Sequence, residues 1–150
     1  MAPIAQVNLK ANAALLVLLL ASACATQPKP EISSVCVEIR DMPEHETSYM
    51  LKHTAEYLKE YRFSQVTSGC EVVVRFQPFG KFQGEVVGPF GAKSGYWSQE
   101  GSVTVIRSGA IIREDEPISV RGQETRQDAL DATAWLVVKP ITKSFQARPR

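Results

Sequence analysis

The chain has 150 residues, enough for one domain of ordinary size. Hydrophobic residues make up 44% of the chain and charged residues 22%, proportions typical of a globular protein rather than a disordered one. The formal net charge of +1 gives no electrostatic reason to bind nucleic acid.

The amino terminus differs from the rest of the chain, because all 16 acidic residues follow position 30. An uncharged stretch runs from Ala13 to Ala23. As a helix it would reach only about 16 Å, roughly half of a bilayer core. It is too short to span a membrane and matches the hydrophobic region of an export signal. We therefore expect residues 1–23 to be a signal peptide.

The export signal ends in Leu20-Ala21-Ser22-Ala23-Cys24. This ending resembles the lipobox of bacterial lipoprotein precursors. The resemblance implies that cleavage occurs before Cys24, which carries a diacylglycerol thioether and an acylated amine. It also implies transport to the outer membrane, because Ala25 rather than Asp follows the cysteine. Apart from this covalent lipid on Cys24, which anchors the protein to the membrane, we expect no cofactor.

Ordinary secretion is the alternative, because Ala21-Ser22-Ala23 is also an A-x-A site for signal peptidase. Both interpretations cut the same bond and leave Cys24 first. The chain has three cysteines, and an odd thiol is a liability in an oxidising compartment. Lipidation of Cys24 removes it, whereas the alternative leaves a soluble periplasmic binding or inhibitor protein.

Residues 24–31 are predicted to be a tether, because residues 25–31 contain two prolines and no large apolar side chain. In extended form this tether reaches roughly 20 Å. We expect a single domain over residues 32–146 and a polar tail over residues 147–150.

The first half of the domain predicts strand, helix, strand. Residues 33–40 alternate apolar and polar side chains, which indicates a strand with one buried face. Residues 45–62 predict a helix and residues 70–77 a second strand. The stripe that indicates the helix is Met50, Thr54, Tyr57, Leu58 and Tyr61, and the buried face of the second strand is Val72, Val74 and Phe76.

Cys36 and Cys70 lie in or beside these two strands, and we expect a disulfide between them. In the chain-entropy model, closing a loop of about 35 residues stabilises the fold by roughly 4 kcal/mol. The alternative is two separate buried thiols. Strand phase opposes the bond, since Cys36 lies on the polar face of its strand and Cys70 is in phase with Val72. An irregular start to the second strand after Gly69 would remove that conflict.

Residues 78–101 hold six of the nine glycines and five aromatic residues. A long segment without regular pattern inside a compact domain is usually functional or disordered. Aromatic side chains on such a segment are of the kind that anchors a protein partner or a glycan, and Phe82, Phe90 and Trp97 are the candidates. The alternative is a glycine-kinked hairpin, with residues 83–87 as one short strand and the aromatic rings packed on the sheet.

Residues 102–113 predict a hairpin with its turn at Ser108-Gly109. We expect its second strand to continue through Ile118 and Val120 after a break at Pro117. The turn predicts two cross-strand pairs, Ile106 with Ile111 and Val105 with Ile112.

The last predicted element is a helix that begins at Thr125, where Thr125 and Asp128 fit a capping box. We expect a kink or a break at Pro140. The apolar stripe of this helix is Leu130, Ala134, Val137, Ile141 and Phe145.

These elements indicate an α+β fold in two layers, with two helices on one face of a mostly antiparallel sheet. The outline resembles small uncharacterised families of envelope lipoproteins, which implies a fold and a location and implies no activity. The pieces that carry the resemblance are the helix-terminal Tyr61 and Phe63, residues 71–74, residues 101–105, and Ile111-Ile112.

The sequence presents no catalytic or metal-binding set. His45 and His53 are about 12 Å apart along a helix, too far to chelate one ion. Motifs for redox, nucleophilic or phosphate chemistry are missing. We therefore predict a non-enzymatic outer-membrane lipoprotein that binds a protein partner in the envelope. A cell-wall-active enzyme is a further alternative.

Overall fold

The computed structural model describes residues 28–91 and 93–149. The helices in this part of the chain are α1 (Glu44–Glu60) and α2 (Arg126–Ser144). The strands are β1 (Glu31–Ile32), β2 (Ser34–Ile39), β3 (Ser64–Gln65), β4 (Val72–Val87), β5 (Lys93–Arg107), β6 (Ala110–Gln123) and β7 (Gln146–Ala147).

The main sheet has the strand order β3-β2-β4-β5-β6. Strand β2 pairs in parallel with β3 and β4, because α1 carries the chain back across the sheet between β2 and β4. The long pairs β4–β5 and β5–β6 are antiparallel. The predicted α+β class with a mostly antiparallel sheet is confirmed.

Both helices pack against the sheet and against each other. The buried face of α1 includes Met50, Thr54 and Leu58 from the predicted stripe, whereas Tyr61 lies just after the helix and is exposed. The core between the layers also contains Val35, Val72, Val74, Phe76, Val103, Val105, Leu130, Ala134, Val137, Val138 and Ile141.

Helix α2 begins with the predicted capping box. The backbone N–H of Asp128 donates to Thr125 Oγ1, and the backbone N–H of Thr125 donates to the Asp128 carboxylate. We expected a kink or a break at Pro140; the helix continues to Ser144, so the break does not occur. Buried Val137 and Ile141 hold this last part of the helix on the sheet, which offsets the hydrogen bond that proline cannot donate.

The hairpin between β5 and β6 turns at Ser108-Gly109 as predicted. Both residues have positive φ, +50° and +77°, as a two-residue turn of type I′ requires. Ile106 pairs with Ile111 as predicted. Val105 pairs with Arg113 rather than with Ile112, because the register shifts between Val105 and Ile106.

Strand β6 has no break at Pro117, so that prediction is wrong. Pro117 pairs with Ser102 inside a continuous strand. Since β6 is at the edge of the sheet, the N–H that proline lacks is not required by a further strand.

Residues 78–101 do not form an irregular segment. Residues 78–87 belong to β4, residues 89–91 form a short turn and residues 93–101 belong to β5, with a register shift between Pro78 and Gly80. The hairpin of the alternative is therefore present, with strands much longer than residues 83–87, but Phe82 and Phe90 are exposed and not packed on the sheet as that alternative expected.

The two ends of the domain form a small sheet of their own. Glu31 of β1 pairs in parallel with Gln146 of β7, and Ile32 pairs with Ala147. The backbone N–H of Arg148 donates to the Ile32 carbonyl at 3.0 Å, and the Arg148 side chain lies 3.3 Å from the Glu71 carboxylate. The end of the predicted tether and the start of the predicted tail are thus joined. We call this small sheet with Arg148 the clasp.

Candidate functional site

The distal part of the β4–β5 hairpin extends beyond the neighbouring strands. We call Gly80–Trp97 the arm. The β2–β4 ladder ends where Ile39 pairs with Phe76, and the β5–β6 ladder starts where Gln123 pairs with Trp97. Among the described residues, no further strand pairs with the outer edge of β4 from Gly80 to Val87 or with the outer edge of β5 from Lys93 to Tyr96. At about 3.4 Å per residue, the arm rises about 24 Å from Gly80 to Val87.

Large apolar side chains are exposed along the arm. Phe82 is 59% exposed and Phe90, at the tip, is fully exposed at 107%. Val87 is exposed as well, as is Phe79 just before the arm. Phe82 contacts the ring of Tyr96 across the two strands, with the centroids 6.0 Å apart. Two of the three candidate partner-binding residues therefore lie on an open surface that the rest of the domain leaves uncovered.

Trp97, the third candidate, occupies a different environment. It is half-buried, and the guanidinium of Arg126 lies 5.7 Å from its ring centroid. The amino-terminal end of α2 covers this ring, a contact between residues far apart in the sequence. Trp97 therefore packs at the base of the arm, whereas Phe82 and Phe90 form part of its exposed surface.

A buried ion pair fixes the base of the arm to both helices, and sequence analysis missed it. Arg126 Nε and Nη2 donate to the two Glu46 carboxylate oxygens at 2.8 and 2.7 Å, and Arg126 Nη2 donates to Gln99 Oε1 at 2.8 Å. The Gln99 side-chain amide in turn donates to the Gly80 carbonyl at 2.9 Å. This chain of contacts joins α1, α2, β5 and the first residue of the arm.

The hydrogen bonds from Arg126 lower the pKa of Glu46 below its ordinary value, although burial of the carboxyl opposes this shift. Among the described residues, Nη1 of Arg126 is buried without a hydrogen-bond partner. The charge of Arg126 is thus balanced mainly by Glu46. The pair fits a structural role, since both groups are nearly enclosed.

Two shallow clefts flank the base of the arm. One, of about 340 Å³, is lined by Phe82, Tyr96, Glu100 and Arg121, and Arg121 Nη2 lies 3.2 Å from the Glu100 carboxylate. The other, of about 300 Å³, lies on the helix side and includes Phe79. Their mixture of aromatic rings and charges suits side chains of a protein partner.

A second polar cluster lies between the helices. Asp131 accepts a hydrogen bond from the Tyr57 hydroxyl at 2.9 Å, and its other carboxylate oxygen is 2.9 Å from His53 Nδ1. Burial and the bond to Asp131 raise the pKa of Tyr57 to about 12. His53 Nδ1 also lies 3.2 Å from a carboxylate oxygen of Glu56. We interpret the cluster as a link between α1 and α2.

Metal binding has no geometric support in residues 28–91 and 93–149. They contain no group of three or more His, Cys, Asp or Glu side chains placed to hold an ion. His45 is exposed in the first turn of α1, and His53 lies between the helices. In the same part of the chain, neither helix is long and apolar enough to cross a bilayer.

Cys36 and Cys70 form a disulfide, with their Cα atoms 5.6 Å apart. Cys70 lies just before β4, after Gly69 with φ +67°, and is not part of the regular strand. The irregular start of β4 therefore resolves the conflict in strand phase. Cys24, the predicted lipidation site, lies outside the described residues.

No protein-family model matches the chain, and no curated protein sequence matches it significantly. Solved structures do share its fold. A minor lipoprotein from Acinetobacter baumannii superposes with a TM-score of 0.53 at 10% identity, over 75% of this chain and 94% of that one. A PelC dodecamer from Paraburkholderia phytofirmans also superposes with a TM-score of 0.53, at 12% identity, over 82% and 95% of the two chains. At such identities the likeness establishes the fold alone.

Proposed function

We propose that this protein is a non-enzymatic lipoprotein of the bacterial outer membrane. A lipid on Cys24 anchors it, and its domain presents the arm as a binding surface for a protein in the cell envelope. The tether and the domain then have separate tasks, since one holds the protein at the membrane and the other makes the contact.

The location is supported by the end of the export signal. The residues before Cys24 resemble a lipobox, and lipidation of Cys24 leaves the chain with one bonded pair of cysteines. A fold shared with a bacterial lipoprotein is consistent with this location. Two or three acyl chains at about 0.8 kcal/mol per buried CH₂ would hold the protein stably on a membrane.

The binding role rests on one observation, the exposure of large apolar side chains on the arm. Phe79, Phe82, Val87 and Phe90 are all more than half exposed within one hairpin. Clustered exposed apolar side chains are unfavourable in water and typically mark interaction sites. The buried network at Arg126 holds the base of this surface in a defined position.

Metabolic labelling with a clickable fatty acid tests the anchor. We expect the wild-type protein to carry the label and to fractionate with outer membranes. The Cys24→Ser variant should lose the label, and it should be released or accumulate as the uncut precursor. An unlabelled wild-type protein recovered in the periplasmic fraction would instead favour the secreted alternative.

A further inference from the structure

The tether enters the domain at the end opposite the arm. Helices α1 and α2 both begin at the base of the arm, where Glu46 meets Arg126, so their last turns lie at the other end of the domain. Lys29 Nζ donates to the Thr142 carbonyl in the last turn of α2 at 2.8 Å. We call the end of the domain that holds Lys29 and the clasp the tether end.

A short linker holds the tether end near the bilayer. Only residues 24–27 separate the proposed lipid on Cys24 from the described part of the chain, a reach of at most about 14 Å. The surface at the tether end is therefore the part of the domain nearest to the lipid headgroups. This step rests on the proposed anchor.

A basic cleft opens at the tether end. It has a volume of about 520 Å³ and is lined by Lys59 and Arg62 at the end of α1 and by Arg148 of the clasp. Ala147, which also lines the cleft, pairs with Ile32, so the cleft lies beside the place where the chain enters the fold. Among the described residues, the lining contains three cations and no carboxylate.

The positive charge at this end is only partly balanced. Arg148 lies 3.3 Å from the Glu71 carboxylate, and both side chains are partly exposed. In the described part of the chain, no carboxylate forms an ion pair with Lys59 or Arg62. Lys29 donates to a carbonyl oxygen, which carries no net charge. The tether end therefore presents cations that an anion from outside the protein can bind.

Arg62 occupies a backbone position that favours glycine. Its φ is +65°, and it lies just after α1. The Arg62 N–H donates to the Lys59 carbonyl and the Phe63 N–H donates to the Leu58 carbonyl, the pattern of a Schellman motif. Glycine is the usual residue at this position, because a Cβ disfavours the left-handed conformation. Helix termination thus does not explain an arginine here, and its charge needs another explanation.

We propose that the basic cleft binds the phosphate groups of anionic phospholipids, so that the domain docks by its tether end on the membrane that holds its anchor. The planar guanidinium of Arg62 matches the oxygen atoms of a phosphate, and the ammonium of Lys59 adds a second charge. Each cation near an anionic membrane surface strengthens binding about fivefold. Docking in this way points the arm away from the membrane, towards its partner.

Fluorescence quenching in vesicles tests the docking. The purified lipoprotein carries a fluorophore on Ala110→Cys, and the vesicles contain a quencher-labelled phospholipid. Ala110 is exposed at the tether end, since Arg107, its partner in the ladder, contacts the ring of Phe145 just before the clasp. We expect stronger quenching in phosphatidylcholine–phosphatidylglycerol vesicles than in phosphatidylcholine alone, and high salt should remove the difference. The fluorophore on Gln83→Cys, in the arm, should be quenched in neither.

Paired charge variants locate the contact. Lys59→Gln with Arg62→Gln should weaken docking about fivefold for each removed cation. Lys81→Gln with Arg121→Gln is the matched control, because it removes the same charge from exposed side chains at the base of the arm and should leave docking unchanged. Equal quenching of the wild type in the two kinds of vesicle, or equal weakening by the two double variants, would overturn the proposal.

Arg62→Gly separates docking from folding. Glycine suits the φ of +65°, so the denaturant midpoint should be no lower than in wild type, whereas docking should weaken about fivefold. A variant that docks like the wild type, or one that loses stability together with docking, would overturn the role given to Arg62.

The anchor and the basic cleft can fail separately. Protein that carries the fatty-acid label but shows no dependence on phosphatidylglycerol would keep the anchor and reject the cleft. Exported protein without the label would reject the anchor. The cleft would stand if this unlabelled protein sedimented with phosphatidylglycerol vesicles and its variant with Lys59→Gln and Arg62→Gln did not, and it would be rejected if neither sedimented.

Discussion

At the scale of single residues, the side chains that hold the base of the arm are buried, and those that form its contact surface are exposed. Arg126 and Glu46 are enclosed and bonded to each other at the base of the arm, whereas Phe82 and Phe90 are exposed beyond it. The same hairpin therefore combines a fixed base with an open apolar surface.

Replacing Glu46 with Gln should destabilise the domain, because it leaves the Arg126 charge buried without its carboxylate. Breaking a buried pair in this way costs about 3 kcal/mol or more. Because the pKa of Glu46 is lowered in the fold, the pair stabilises above the ordinary carboxyl pKa of 4.5 and this contribution disappears as the pH falls through the folded pKa. The free energy of unfolding, measured with denaturant, should therefore fall less between pH 7 and pH 3 in E46Q than in wild type.

Glu116→Gln provides the control for this measurement. Glu116 lies 3.2 Å from Arg113 in an ion pair that is about one third exposed, so the change should stay below about 1 kcal/mol. If E46Q and the Glu116→Gln variant lost the same free energy of unfolding, the assigned role of Glu46 would be contradicted.

Replacing both Phe82 and Phe90 with Ser should cost little stability of the monomer, within about 0.5 kcal/mol per site, because both rings are exposed. A thermal melt of dilute protein measures this. Phe76→Ser is the comparison, since that ring is fully buried and its truncation should cost roughly 3–5 kcal/mol. A large fall in the midpoint of the double variant would mean that the arm aromatics hold the sheet together, and would contradict their role as a contact surface.

At the scale of elements, the disulfide and the clasp reinforce the end of the sheet from which the tether leaves. The disulfide joins β2 to the residue two positions before β4, and the clasp joins both ends of the domain. The helices reach the base of the arm but do not cover it. The reinforced end and the uncovered hairpin are thus separated along the sheet.

The Cys36→Ser, Cys70→Ser variant should lose about 4 kcal/mol in the chain-entropy model, for a sequence separation of 34 residues. Denaturant unfolding of the oxidised protein against this variant measures the loss. Peptide mass spectra without reduction should show the two cysteines linked in the exported protein. Two free thiols in that protein would contradict the predicted bond.

At the scale of the whole molecule, the clasp connects the tether to the fold. Ile32 is fully buried, and the backbone of Gln146 to Arg148 holds the segment that contains it. A force applied through the tether therefore acts on the clasp before it acts on the main sheet.

Deleting residues 146–150 should lower the free energy of unfolding by about 2 kcal/mol, because the two backbone hydrogen bonds donated by Gln146 and Arg148, at about 1 kcal/mol each, are lost with the exposed Arg148–Glu71 pair. Limited proteolysis should then cut near residues 28–32. Deletion of residues 149–150 alone is the control and should leave both properties unchanged. A full deletion with wild-type stability and protease resistance would argue against the clasp.

Much of the fold was predictable because its signals are local. Alternation marked β2 and the start of β4, a helical stripe marked α1, and the Thr125–Asp128 spacing marked the start of α2. The candidate site was predictable only in part. Glycine and aromatic content drew attention to residues 78–101, and Phe82 and Phe90 are exposed there. The same content did not reveal a regular hairpin, since glycine lowers strand propensity without preventing a ladder.

The sequence by itself determined the type of most elements, the cysteines available for a bond and the resemblance to a lipoprotein signal, because each depends on residues close together in the chain. Tertiary structure alone decided the parallel pairing of β2 with β4 and the tolerance of Pro117 and Pro140. It also decided the contact of Trp97 with Arg126 and the pairing of Glu46 with Arg126. Each of these depends on which distant segments meet, and Glu46 and Arg126 are 80 positions apart. The length by which the arm extends beyond its neighbours also depends on distant segments, because it is set by where β2 ends and where β6 begins to pair.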